Sequence, residues 1–131
     1  MSEAFEKVKG FLQELEFPIV SEDADEEIAV VTDEESGLNN LIVDCEDPIL
    51  ILEQAIIPIP ANPDGLYKRL LEMNRTVIHG AFAIDEETNM VLFRDTLRLE
   101  TLDRSELEGS INALGLALAE NAEELLSFSK G

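Results

Sequence analysis

Histidine and cysteine each occur once in this 131-residue chain, as His79 and Cys45. A nucleophilic site needs an activated nucleophile beside a base, and a zinc site needs three or four His or Cys ligands, so both chemistries lack their parts. No intrachain disulfide is possible, and a lone thiol fits a reducing compartment, so a cytoplasmic location is expected. Trp is absent and Tyr67 is the only tyrosine, which leaves a sugar site without aromatic platforms. The seven Gly are scattered, with neither a GxGxxG nor a P-loop among them, and no Ser sits in a GxSxG elbow. The acidic run Glu22–Glu27 lacks the glycine and the twelfth-position Glu that shape an EF-hand loop, and reads as a solvated loop. The chain is therefore expected to be no enzyme and to need no cofactor or metal.

Basic residues are the other scarcity. Nine Lys and Arg stand against 29 Asp and Glu, for a net charge of -20. Between Gly10 and Tyr67 there is no Lys or Arg at all, against fifteen acids. Such a surface repels phosphate backbones and anionic lipid, so neither nucleic acid nor membrane is an expected partner, whereas a basic protein segment would be steered in. No apolar run approaches the ~20 residues that span a bilayer, and the first residues show no basic leader, so neither export nor embedding is expected.

What is present is 45% apolar residues, enough for one ordinary core of Leu, Ile, Val and Ala. Ser2 to Glu16 predicts a helix, capped by Ser2, with Phe5, Val8, Leu12 and Leu15 on one stripe and Phe17-Pro18 as its stop. Extended segments follow at 28–32, 41–45 and 49–59, separated by short polar turns. Asn62-Pro63 opens a second helix with the stripe Leu66, Leu70, Met73 and Val77. A hairpin comes next, 81–85 and 90–99, turning through Glu86-Glu87-Thr88-Asn89. Asp103 with Glu106 forms a capping box for the last helix, whose stripe is Leu107, Ile111, Leu114, Leu118, Ala122 and Leu125. The expected fold is α+β, one domain over residues 1–131, with an antiparallel sheet of about five strands and three helices in the order α-β-β-β-α-β-β-α.

Two features exceed what such a core needs. The segment 49–59 is apolar on both strand faces, which singles out Ile49, Ile51, Ala55, Ile57 and Ile59. Leu116 lies about half a turn off the main stripe of the last helix, beside the small residues Gly109, Ala113 and Ala117. These six apolar residues are the expected client or dimer surface, because a contiguous apolar patch marks an interaction site. Arg94, Thr96 and Arg98 alternate on one strand face and read as solvated.

The run Leu70-Leu71-Glu72-Met73-Asn74-Arg75, then 80–85, then Val91-Leu92-Phe93 and the long amphipathic last helix resembles the type III secretion chaperone-like superfamily. Its nearest branches are the CesT (Tir chaperone) family and the YbjN-like bacterial proteins. The resemblance implies a small acidic bacterial protein, usually a homodimer, that holds a partly extended segment of another protein without nucleotide or metal. Where many relatives have Gly in the hairpin turn, this chain has Thr88-Asn89, and Asn can adopt the left-handed conformation. The leading expectation is thus a protein-binding, chaperone-like module and a homodimer. The alternative is an acidic regulator that blocks a basic, nucleic-acid-binding site on a target protein.

Overall fold

The computed structural model describes residues 2–129. Its elements are α1 (Glu3–Glu14), β1 (Ile19–Asp23), β2 (Ile28–Asp33), a 3-10 turn (Glu34–Ser36), β3 (Leu38–Glu46), β4 (Ile49–Pro58), α2 (Asp64–Asn74), β5 (Ala81–Asp85), β6 (Met90–Arg98) and α3 (Arg104–Ser129). The strands form one sheet in the order β1-β2-β3-β4-β6-β5, and every neighbouring pair is antiparallel. The first four strands are a meander. The chain then crosses through α2 to the far edge, lays down β5, and hairpins back so that β6 pairs with β4. The sheet has one strand more than expected: β1 reads Ile-Val-Ser-Glu-Asp, whose acidic end gives no apolar alternation to recognise.

Local chemistry sets the element ends. Ser2 Oγ accepts from the Phe5 amide at 3.1 Å, capping α1. The helix closes in a Schellman arrangement, with Phe17 N donating to Leu12 O and Glu16 N to Gln13 O, and Glu16 takes the left-handed φ of 63° usually left to glycine. Asp103 Oδ1 accepts from the Glu106 amide at 2.7 Å and starts α3. Asn89 turns the β5–β6 hairpin at φ 59°. At α2 the expected cap differs: Pro63 itself occupies the N-cap position and no side chain caps the helix.

The buried side chains of the three helices and the inward side chains of the strands form one cluster, with Phe5, Leu12, Leu50, Leu52, Leu107 and Phe93 at its centre. Phe82 meets Phe93 edge-on at 5.1 Å. Along β4 burial alternates strictly, Leu50, Leu52 and Gln54 inward and Ile49, Ile51 and Glu53 outward, until the register against β6 shifts between Ala55 and Ile57. That bulge inserts a residue and reverses the alternation, as bulges do.

Both sheet edges are protected. On β1 the register slips between Ile19 and Ser21, leaving Val20 as an extra, exposed residue on a strand that ends in acids. On β5 the Asn74 side chain, at the end of α2, accepts from Phe82 N at 2.7 Å and donates to Phe82 O at 3.2 Å, filling the place of a neighbouring strand. Gly80 precedes β5 at φ 77°, and a Cβ there would lie 2.6 Å from the Phe93 ring and 2.8 Å from Arg94 O, so only glycine fits.

Candidate functional site

The residues that could have carried chemistry do not converge. Cys45 is buried on β3, and burial, reinforced by the charges of Glu27, Asp44 and Glu46, pushes its thiol up to about 12, so it stays protonated and unreactive at neutral pH. His79 stands exposed on the α2–β5 connection. Among the described residues no three His, Cys, Asp or Glu side chains group as a metal site. In the loop Glu22–Glu27 the Asp23 carboxylate instead accepts from the amides of Asp25 and Glu26. No helix among the described residues is long and apolar enough to cross a membrane.

What remains is surface, and it falls in two places. The first is the sheet face that the helices leave open. On it Ile49 and Ile51 are half-buried, Ala55 and Ile42 are exposed, and Ile28 and Val30 extend the apolar area across β2. Asp44 stands in its middle, paired across the strands with Ile28 and Ile51. Partial burial pushes the Asp44 carboxyl up to about 6, helped by the nearby carboxylates of Glu46, Glu53 and Glu26. Leu92 is also buried on this side, outside the main core cluster.

The second surface lies on the helix layer. Leu116, half exposed, borders two depressions along α3. One is an open groove of about 640 Å³ between α3 and the 3-10 turn, with Leu116, Leu118 and Ala122 along the helix and Glu34 and Glu35 on the turn. The other, of about 100 Å³, lies between α3 and the segment Thr76–Ile78, where Ile78 is exposed. Two residues hold the turn against the helix. Gln54, buried on β4, accepts from Asn39 N at 3.0 Å and donates to Gly37 O at 3.3 Å. Gly115 lets the turn approach, since a Cβ there would lie 2.5 Å from Ser36 O.

Of the six residues expected on a client or dimer surface, the structure leaves Ile49, Ile51 and Ala55 on the open sheet face and Leu116 on the helix layer. Ile57 is corrected: it is 2% exposed and belongs to the core, because the bulge after Ala55 turns it inward. Ile59, past the end of β4, packs against the core and donates its amide to Asn89 O. The small-residue strip also differs. Gly109 faces open space, Ala117 is buried, and the close approach is made at Gly115. Gln54 was missed because an isolated Gln on a strand carries no pattern; only the tertiary position of the turn gives it partners.

The CesT_Tir_1 family model matches residues 1–131. The chain belongs to that family. Its fold recurs in solved structures. YbjN from E. coli superposes with a TM-score of 0.71 at 10% identity, covering 92% of each chain. A chain of the ExsC–ExsE complex gives 0.63 at 20% identity, covering 86% of this chain and 85% of that one. A chain of the HopA1–SchA chaperone–effector complex gives 0.62 at 16% identity, covering 100% of this chain and 99% of that one. No curated protein matches the chain in sequence. At such identities the structural likeness establishes the fold.

Proposed function

We propose that this chain is a non-enzymatic, chaperone-like domain, a single unit over residues 1–131, that works in the bacterial cytoplasm as a homodimer and holds a segment of a client protein along α3. The observation that carries this reading is Leu116, exposed between two depressions on the helix layer. An exposed Leu on the rim between two depressions is a contact for an apolar side chain of another chain. Capture as an added strand is the weaker mode here, since Val20 bulges one sheet edge and Asn74 occupies the other. Glu34, Glu35 and Glu120 around the depressions favour a client segment with basic residues beside its apolar anchor.

A second reading is an acidic regulator that covers a basic site on its target, favoured by the fifteen acids and no base between Gly10 and Tyr67. Salt separates the two. Burial of apolar area is not screened, whereas charge pairing weakens as the Debye length shortens. Native partners captured on the immobilised protein are expected to survive a wash at roughly 0.5 M salt and to be lost with Leu116→Glu. Elution by salt alone, unaffected by that substitution, would favour the acidic regulator.

A further inference from the structure

The middle of the open sheet face holds a carboxyl group without a counter-charge. Asp44 lies on β3 between Ile28 of β2 and Ile51 of β4. Its Oδ1 is shielded from water and accepts no hydrogen bond. Among the described residues no Lys or Arg pairs with it. Glu46, two residues further along the strand, sends its side chain to the same face at a backbone separation of roughly 7 Å, a gap that two carboxyl side chains can close. Glu26 lies two residues before Ile28 on the β1–β2 connection, and Glu53 of β4 pairs with Ile42, diagonally across from Asp44. The arginines of this face, Arg94 and Arg98, stand on β6 with β4 in between, and Arg94 lies 4.0 Å from Glu53.

We propose that Asp44 and Glu46 hold one proton between them, as a carboxylic acid–carboxylate pair, and that this pair is a pH switch at the centre of the open sheet face. Two ionised carboxylates only accept hydrogen bonds, so side by side they repel and neither satisfies the other. A single proton turns the pair into one donor and one acceptor, joined by a strong charge-assisted bond. No third ligand gathers with them into a metal site among the described residues, so a proton is what relieves the charge.

The surroundings place the proton on Asp44. An ionised carboxylate with one oxygen beyond the reach of both water and protein donors is the costliest form of the group, and the neutral acid is cheaper. Asp44 is half-buried between isoleucines, whereas Glu46 is exposed and its charge stays hydrated. Burial, the hydrogen bond with Glu46 and the charges of Glu46, Glu53 and Glu26 together hold the Asp44 carboxyl at about 6. Above that pH the pair carries two charges that push apart in the middle of β3. Below it the pair carries one charge and a bond that closes it, and the fold gains stability because the folded chain binds the proton more tightly than the unfolded one. The pair lies on the sheet face away from the groove along α3, so it does not depend on the client-binding reading.

The test follows the carboxyl carbons of Asp and Glu by NMR from about pH 8 to about pH 4, in the wild type, Glu46→Gln and Asp44→Asn. In the wild type the Asp44 carboxyl carbon is expected to titrate at about 6, and the Glu46 carboxyl carbon to inflect at the same pH because the two titrate as a unit. Glu46→Gln removes the partner carboxylate, and the Asp44 midpoint is expected to fall by roughly one pH unit. Asp44→Asn is expected to erase the inflection of Glu46 near that pH. An Asp44 carboxyl that titrates in the ordinary carboxylate range overturns the proposal. A Glu46 carbon without the shared inflection does so too, as does an Asp44 midpoint unmoved in Glu46→Gln, since burial alone would then hold the proton. Should either variant lose its circular-dichroism signal, the two wild-type titrations decide: coincident inflections uphold the pair, and separate ones overturn it.

Discussion

Leu50 and Leu52 on one side of β4 are fully buried, while Ile49 and Ile51, interleaved with them on the other side, are only half-buried. The four residues have nearly the same hydrophobicity, and the two outward ones, β-branched Ile, are the better strand formers. Their fates differ because the helices pack on one face only, and because a strand sends successive side chains to opposite faces. The inward side chains hold the fold together. The outward ones are free to hold something else.

The sharpest way to break this comparison is to truncate one residue from each face. Leu52→Ala is expected to cost about 3 kcal/mol through lost burial and a cavity. In dilute protein Ile51→Ala is expected to cost under about 1 kcal/mol. Equal shifts of the urea midpoint would mean that the outer face is packed as tightly as the inner.

A smaller effect tests the polar residue that the inner face tolerates. Gln54→Leu leaves the Asn39 amide and the Gly37 carbonyl without their side-chain partner. Such a loss costs about 1–2 kcal/mol. Faster amide exchange is expected at residues 36–39, together with weaker client capture, since those residues wall the groove. Unchanged exchange there would show that Gly115 alone positions the turn.

On the outer face, Asp44 reports on its surroundings through pH. Its carboxyl is held up at about 6, above the ordinary 3.8 of the unfolded chain, so the folded state binds a proton more readily than the unfolded one. Ionisation therefore opposes folding above pH 6. That cost is relieved as pH falls from 6 toward 4, and nothing further is gained below that. After solvent screening the gain is about 1 kcal/mol. Asp44→Asn is expected to raise the denaturant midpoint at pH 7.5 and to lie close to wild type at pH 4. A variant that is less stable at both pH values would mean that the carboxylate makes a stabilising contact when ionised.

The smallest effect on stability belongs to Leu116→Glu, expected within about 0.5 kcal/mol of wild type because the side chain is half exposed. Client capture is expected to disappear all the same. A loss of several kcal/mol would place Leu116 with the core rather than with the groove.

Much of the molecule was legible in the chain because it rests on local chemistry. Ser2 and Asp103 are caps, Asn89 tolerates a left-handed turn, and the stripes of α1, α2 and α3 follow the helical period; each is decided by residues within a few positions of one another. Most of the misses involve partners outside the element concerned. β1 is held by pairing with β2 despite a polar sequence, and Asn74 closes an edge that belongs to β5. Gly115 matters only because Ser36, seventy-nine positions earlier, passes against it.

Composition by itself determined that three or four His and Cys ligands for zinc cannot be assembled and that the charge of the first half is one-sided, since both are matters of which residues exist. Periodicity determined that the segment 49–59 carries more apolar side chains than one face can use. Tertiary structure alone decided which of them stay available. One bulge turned Ile57 into the core while Ile49 and Ile51 kept the open face, because a single inserted residue reverses every side chain beyond it.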